Sequence, residues 1–458
     1  MSLILNSNTL KRYNVSGPRY TSYPTAPEWK EGMDGRTYRH HLAEAGRKDE
    51  ALSLYIHIPF CSSLCTYCGC HVTIRKPGKE IGHEYIDLLE KEIDQVASAL
   101  GKRKTLQQMH WGGGTPTFLL PDQLERLKGV IDQHFDIDSS AEVAIEIEPR
   151  RVDLGLLIHL RNLGFNRVSM GVQDFDPKVQ EAVRRVHSPE RILEVVNGCR
   201  EAGFESLNLD LIYGLPHQTR DSFARTIEEV IKLRPDRIAL YSFAHIPWLK
   251  KHQKKIEAET LPSPDEKVGI FLDSSENLLK SGYQAIAMDH FALEGDEMAV
   301  AYREGKLNRN FMGYTVLKGQ DFIGLGVSSI GYVQGGYFQN EKDQKAFRNA
   351  LDKGEFPLSR GLVLSDDDLM RKKIIEDLMC RFVIDREAWA EQLGRPFDKV
   401  FEAELSHIEN CVEDGLLEIE GKLLKVTELG KLFVRNIAMG FDAHLRKEGA
   451  HRRFSRVI

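Results

Sequence analysis

The chain has 458 residues, 41% hydrophobic and 28% charged, a globular balance that excludes intrinsic disorder and collagen-like repeats. With 62 Lys+Arg against 68 Asp+Glu the formal charge is −6, so no net positive field supports a dedicated nucleic-acid binder, and no nucleic-acid partner is expected. No apolar run approaches the ~18 residues of a membrane span, and the opening MSLILNSNTLKRY lacks the segments of a secretory signal, so the expectation is no membrane span and a cytoplasmic location.

Residues 1–50 read as an arm, since Gly17-Pro18-Arg19-Tyr20-Thr21-Ser22-Tyr23-Pro24 is punctuated by turn formers and extended rather than helical. From Leu52 strand-like and helical segments alternate. LSLYIHIP precedes IDLLEKEIDQVASAL, LQQMHWGGG precedes PDQLERLKGVIDQHF, and EVAIEIEP precedes LGLLIHLRNLG. RVSMGVQ precedes RILEVVNGCREAG, SLNLDLIYGLP precedes SFARTIEEVIKL, and RIALYSFAH closes the series. Strands separated by helices are the pattern of a parallel α/β sheet. Ser188-Pro189 marks a helix start, and Gly164 and Gly203 mark helix stops.

Successive strand side chains face opposite ways, so each strand sorts its residues into two sets. Val143, Ile145 and Ile147 oppose Ala144, Glu146 and Glu148; Val168, Met170 and Val172 oppose Ser169, Gly171 and Gln173; Leu207, Leu209 and Leu211 oppose Asn208, Asp210 and Ile212. One face packs on helices and the other carries polar groups. A closed eight-stranded barrel fills its interior with apolar layers. Six units with a polar inner face therefore predict an open, partial, six-unit parallel β/α barrel around a ligand cavity; the alternative is an open doubly wound sheet with a few exposed polar positions.

Beyond Leu293 the pattern loosens. From Leu362 it is mainly helical, LSDDDLMRKKIIEDLMCRF and FDKVFEAELSHIENCVEDG, then a strand pair LLEIEGKLLKV turning at Gly421, then a last helix ELGKLFVRNIAMGFDAHL. This predicts a small winged-helix-like C-terminal domain with a packing or lid role, and a division into an arm (1–50), a barrel with its extension (51–361) and a helical domain (362–458).

Four of the seven cysteines fall in Cys61-Ser-Ser-Leu-Cys65-Thr-Tyr-Cys68-Gly-Cys70, directly after the first strand. Zinc sites usually pair two such motifs across a dozen or more residues, and here Cys199, Cys380 and Cys411 stand alone. Iron–sulfur cubes take thiolates from tight loops, and three cysteines at x3 and x2 spacing leave one iron open to another ligand. Cys70 is too close to Cys68 to share the cube; it reads as a contact to cofactor or substrate, or as a structural thiol. Lys250-Lys251-His252-Gln253-Lys254-Lys255 reads as a solvated helix face. The 16 histidines are scattered, with no H-x-x-x-H pair among them.

On this loop the sequence resembles the radical S-adenosylmethionine superfamily. Together with YNVSGPRYTSYPT, HIPFC, HWGGGTPT, SMGVQDF, LDLIYGLP and the terminal FSRVI, it resembles within that superfamily the oxygen-independent coproporphyrinogen III oxidases, over residues 13–458. The resemblance implies that Cys61, Cys65 and Cys68 ligate a [4Fe–4S] cluster whose fourth iron takes S-adenosylmethionine. It places one molecule of that cofactor against Tyr55, Gly113 and Glu146. A second lies near Tyr67, Gly114, Gln173, Arg185, Asp210, Ala244 and Ile330, and Cys70 is the candidate catalytic residue.

The implied activity is oxidative decarboxylation of two propionates of coproporphyrinogen III to vinyl groups by a 5′-deoxyadenosyl radical, giving protoporphyrinogen IX without O2. The implied partners are that substrate and an electron donor such as flavodoxin or ferredoxin, with the protein a monomer. Arg19 and Arg456 are candidate cations for the propionates. Haem chaperones and haem-opening enzymes are related alternatives; the chaperones typically lack the fourth cysteine and the long arm, both present here.

Overall fold

Each of the six segments read as strands is one: Leu52–Ile58 (β1), Thr105–Gly113 (β2), Asp136–Ile147 (β3), Arg167–Gln173 (β4), Ser206–Tyr213 (β5) and Arg237–Ser242 (β6). They lie side by side in chain order, every neighbouring pair parallel. Lys79–Leu100, Pro121–His134, Leu154–Asn162, Pro189–Glu201 and Arg220–Leu233 are the helices between them. Val143, Ile145, Ile147, Val168, Met170, Leu207 and Leu209 are buried in one core with those helices, as alternation requires. β3 begins at Asp136 rather than Glu142, because Asp136 and Ile137 already pair with β2. The short helix Pro177–Val183 follows β4 and carries no long periodic pattern. This computed structural model describes residues 7–317, 321–446 and 454–456; residues 1–6 of the opening segment, and Val457-Ile458 of FSRVI, lie outside them.

The sheet extends at both edges. Tyr283–Ile286 (β7) and His290–Leu293 (β8) add antiparallel beside β6. On the other side Phe322–Leu325 (β9) lies parallel to β1, followed by Ile330–Val333 (β10), Gly336–Asn340 (β11) and Leu358–Val363 (β12), all antiparallel. Lys30–Glu31 pairs on β12. Every residue of β9 and of β11 is buried, so these strands show no polar–apolar alternation, which is why this stretch of sequence looks loose. The outermost strands, Lys30–Glu31 and β7, do not pair with each other. The barrel is therefore partial and open, and its inner face lines cavities rather than carrying a second helix layer, which sets aside the doubly wound alternative.

The C-terminal residues form the long helix Asp366–Arg381 and a three-stranded antiparallel sheet of Val383–Asp385, Leu417–Glu420 and Leu423–Val426, the last two turning at Gly421. Val383–Asp385 and the helix Arg386–Leu393 were not expected, and the expected last helix is two, Glu428–Leu432 and Val434–Met439. The core of this region, with Trp389, Phe401, Phe433 and Phe441, also takes in Tyr13, Tyr20 and Tyr23 from the arm. The Tyr20 hydroxyl donates to Asp442 at 3.0 Å, and the Asn436 amide donates to the Tyr13 carbonyl at 2.8 Å. The helix Gly35–Ala45 packs Tyr38 and Leu42 into the barrel core. Among the described residues no helix is long and apolar enough to cross a membrane.

Candidate cofactor and active site

The cysteine loop leaves β1 at its carboxyl end, where ligands of parallel α/β sheets gather. Backbone groups on this loop are held from two sides. Thr66 takes its N–H to the Val183 carbonyl at 3.1 Å and its hydroxyl to the Ala182 carbonyl at 3.1 Å. The run from Lys250 to Lys255 holds another side, and here the expectation of a solvated helix face is wrong. His252 donates to the Cys68 carbonyl at 2.7 Å, Lys250 to the Cys70 carbonyl at 2.9 Å, and the buried Gln253 to the Tyr67 carbonyl at 2.9 Å. The short 3-10 turn Lys251–Lys255 puts those groups on the loop while Lys251, Lys254 and Lys255 stay exposed. Each side chain caps a carbonyl that the bent loop cannot pair with its own backbone.

The thiols fit a polynuclear cluster. Cys61, Cys65, Cys68 and Cys70 are all free and line one cavity of about 480 Å³. Three thiols on one loop at x3 and x2 spacing, opening on one cavity, are the donor set of an iron–sulfur cluster, which takes thiolates from such loops. The Cys61 thiol is pushed up to about 11 by burial, offset in part by its 3.4 Å contact with the Thr115 hydroxyl. Cys68 is lowered by hydrogen bonding from Cys70 and by the charges of Lys250 and His252, and Cys70 is raised correspondingly. The buried Arg185 lies 3.8 Å from the Cys65 sulfur and is tied to the Gly171 carbonyl at 3.1 Å.

Beside the thiols, the inward phase of β1, β2 and β3 builds a polar ladder. The Tyr55 ring stacks on His110 with centroids 5.9 Å apart. His57 donates through Nε2 to the His71 carbonyl at 3.0 Å, leaving Nδ1 to accept from the Tyr55 hydroxyl at 3.1 Å. Burial lowers His57 to about 4, so this imidazole is neutral. Glu146 accepts from His110 Nε2 at 3.1 Å and from the Gly113 N–H at 3.2 Å. Burial alone would raise its carboxyl, but the bond and charge of His110 outweigh it and hold Glu146 below the usual range. Glycine is required at this point: Gly113 has φ of 111°, and a Cβ there would stand 2.5 Å from the His57 ring. On β4 and β5, Asn208 donates to Asp210 at 2.8 Å and to Ser169 at 3.0 Å, while burial and the nearby Glu146 charge raise Asp210 to about 6.

Two adjoining cavities use this wall. The thiol cavity is lined by Tyr67, Gly114, Gln173, Arg185 and Ala244. A second, of about 560 Å³, is lined by Tyr55, His57, His110 and Ile330. Cys70, Gly113, Glu146 and Asp210 line both. The cluster and cofactor residues singled out in the sequence thus stand on one continuous surface, but Tyr55 and Ile330 border the second cavity rather than the thiols. Gln173 does not arrive by simple alternation: a register shift separates Gly171 from Gln173, whose φ is 72°. Gln173 lines the thiol cavity, and its buried Oε1 has no hydrogen-bond partner.

Sequence reading missed His57, His71, His110, His252 and Gln253, taking the histidines as scattered. The signal for two was present, since His57 and His110 share the inward phase of Tyr55 and Gln108 on β1 and β2. Arg19 donates to the Ser242 carbonyl at 2.8 Å and lines the thiol cavity. Arg456 pairs with Ser16 as an isolated bridge joining tail to arm.

The geometry can be set beside known proteins. A family model described as the Radical SAM superfamily matches residues 55–230, and one for the HemN C-terminal domain matches residues 364–433. The chain is 44% identical over 449 residues to the oxygen-independent coproporphyrinogen III oxidase of Salmonella typhimurium, covering 98% of this chain and 97% of that protein. To the protein of the same name from Synechocystis sp. it is 41% identical over 459 residues, covering 99% and 98%. It superimposes on coproporphyrinogen III oxidase (HemN) from Escherichia coli, described as a radical SAM enzyme, with a TM-score of 0.90 at 41% identity, covering 97% of this chain and 100% of that one.

Proposed function

Since the chain belongs to the oxygen-independent coproporphyrinogen III oxidases, radical S-adenosylmethionine enzymes, we propose how its residues divide the work of that reaction. The reaction oxidatively decarboxylates two propionates of coproporphyrinogen III to vinyl groups, giving protoporphyrinogen IX. Each propionate loses a hydrogen atom from its β-carbon, then CO2 and one electron. When bound, the [4Fe–4S] cluster and S-adenosylmethionine supply the one-electron sulfonium cleavage and the hydrogen abstraction.

Cys61, Cys65 and Cys68 would hold the cluster, and the carbonyl clamp of Lys250, His252 and Gln253 fixes their loop. Tyr55, Gly113 and Glu146 would hold one cofactor molecule, with Glu146 kept anionic by His110 for an ammonium group. Tyr67, Gly114, Gln173, Arg185, Asp210, Ala244 and Ile330 would hold a second. Cys70, shared by both cavities, would contact the second cofactor or the substrate. The observation that carries this reading is that the three thiols and the Glu146 ladder open on the same cavity wall. Anaerobic protein given dithionite, S-adenosylmethionine and coproporphyrinogen III should yield protoporphyrinogen IX and two CO2 by chromatography and trapping; tight haem binding without turnover would refute it.

The electron donor is a carrier such as flavodoxin or ferredoxin. Residues 61–79 and 244–256 contain no Asp or Glu, Arg75, Lys76, Lys251, Lys254 and Lys255 are exposed, and so is Trp248, at 58%. A basic rim with an aromatic centre complements an acidic carrier. Seven free thiols suit the reducing cytoplasm. A monomer suffices, because residues of one chain line both cavities, the second from the barrel and its extension and the thiol cavity from the barrel with Arg19 of the arm.

A further inference from the structure

Beyond the cofactor residues, the wall of the larger cavity carries a carboxylate–imidazole pair that the cofactor contacts leave unused. His290 opens β8 and pairs with Ala239 of β6. The turn leading into it holds Ala287 at φ of 51°, in the left-handed region that most side chains avoid. The Asp289 carbonyl accepts from the Leu240 N–H at 2.8 Å, which fixes Asp289 and His290 together against β6. Within the pair, His290 Nδ1 lies 2.7 Å from Asp289 Oδ1. The Tyr241 and Tyr314 rings stand edge-on to the imidazole, with centroids 5.7 and 5.3 Å away and both at 83° to it. The imidazole is thus wedged by two aromatic rings and tethered at one nitrogen.

Burial would raise the Asp289 carboxyl, but the charge and bond of His290 and the charges of Arg309 and Arg19 outweigh it and lower it to about 2. The aspartate is therefore an anion that accepts the Nδ1 proton, and in the neutral imidazole so fixed the other nitrogen, Nε2, is an acceptor. Among the described residues Nε2 has no hydrogen-bond partner, and the side chain, 13% exposed, lines the cavity of about 560 Å³. The carboxylates of that cavity each already accept from a neighbour: Glu142 from Gln108, Glu146 from His110, and Asp210 from Asn208. His290 Nε2 is an acceptor on the same wall with no such neighbour.

We propose that His290, oriented by Asp289, accepts a hydrogen bond from a pyrrole N–H of the tetrapyrrole. This rests on the substrate reading given above. Outside its propionates, which are acceptors, coproporphyrinogen III presents only hydrocarbon and four pyrrole N–H donors. An imidazole whose Nδ1 proton is held by Asp289 matches such a donor and does not match a carboxylate. The four N–H groups are alike, so a bond made to one pyrrole can be broken and remade to the next. That suits a reaction in which two propionates, on two different pyrroles, are presented in turn. The ribose hydroxyls of the nucleotide offer the same donor chemistry, and the test separates the two sources.

An asparagine amide takes the place of Nδ1 and a glutamine amide that of Nε2, so His290→Asn keeps the tether to Asp289 without the acceptor, while His290→Gln supplies an acceptor oxygen. Both are compared with the unaltered protein, with His290→Lys, which carries donors only, and with Asp289→Asn. KM for coproporphyrinogen III, KM for S-adenosylmethionine, iron content and melting temperature are measured. His290→Asn should raise the coproporphyrinogen KM about tenfold, as loss of one hydrogen bond implies, at unchanged S-adenosylmethionine KM and iron content. His290→Gln should recover most of that rise, and Asp289→Asn should show a smaller one, because the imidazole loses the anion that polarises it. An equal or exclusive rise in the S-adenosylmethionine KM would assign Nε2 to the ribose and overturn the pyrrole contact. Recovery by His290→Lys in place of His290→Gln would assign a propionate and overturn it as well. An unchanged KM in His290→Asn, or loss of activity in step with a lowered melting temperature and no recovery by glutamine, would overturn the contact while leaving the activity standing. An unaltered protein that does not convert coproporphyrinogen III would remove the substrate reading and the contact with it.

Discussion

Replacing Gly112 by alanine probes the Glu146 ladder without touching a thiol. Gly112 does not occupy the left-handed region, so its backbone accepts alanine, but the added Cβ would lie 2.6 Å from Glu146 Oε1, 2.8 Å from its Cδ and 3.1 Å from His110 Nε2. To reach an ordinary contact near ~3.5 Å the carboxylate must retreat by about 1 Å. That displacement breaks the 3.1 Å bond from His110 or the 3.2 Å bond from the Gly113 N–H. A hydrogen bond to a charged group contributes about 1.5–3 kcal/mol, which corresponds to roughly 10- to 100-fold in affinity. Gly112→Ala should therefore weaken S-adenosylmethionine binding by that factor in anaerobic equilibrium dialysis, with iron content and circular dichroism unchanged. Parental affinity, or loss of iron instead of loss of nucleotide binding, would refute the placement of Glu146 in the cofactor site.

Three further outcomes are expected. Gln253→Leu removes the bonds to the Tyr67 carbonyl and from the Ile246 N–H, so chelator should strip the cluster several-fold faster from a normally folded protein; an unchanged stripping rate contradicts the clamp. Asp210 titrates near 6 because burial raises it; it is protonated below that value and accepts from hydroxyls as a carboxylate above it, so binding of the second nucleotide should strengthen from pH 5 to 7 in calorimetry. Asp210→Asn should flatten that dependence, and a flat profile in the parent would contradict the assignment. Reversing Lys251, Lys254 and Lys255 to Glu should slow cluster reduction by flavodoxin about tenfold at low salt, with dithionite reduction unaffected; equal slowing by both reductants would count against a carrier surface.

The six central strands were legible because each keeps one apolar phase against the helices, and the opposite phase places Glu146 and Asp210 on the cavity side. The edge strands were not, since β9 and β11 are short and buried throughout and leave no alternation to read. At the site, the cysteine spacing and the glycine triplet are local signals that survive in one dimension. The clamp of Lys250, His252 and Gln253 is not local: its value depends on carbonyls some 180 residues away, so the run resembles any solvated lysine stretch.

The claim on which the rest depends is that the loop from Cys61 to Cys68 carries a cube of iron and sulfide with one iron left for the nucleotide. Iron and sulfide analysis with Mössbauer spectroscopy on the anaerobically reconstituted protein tests it directly, alongside Cys61→Ala, Cys65→Ala and Cys68→Ala. The account predicts four irons and four sulfides per chain, one iron changing its spectrum when S-adenosylmethionine is added, and loss of the cluster in each variant. Stoichiometric zinc in place of iron, or a full cluster surviving in any of the three variants, would contradict it.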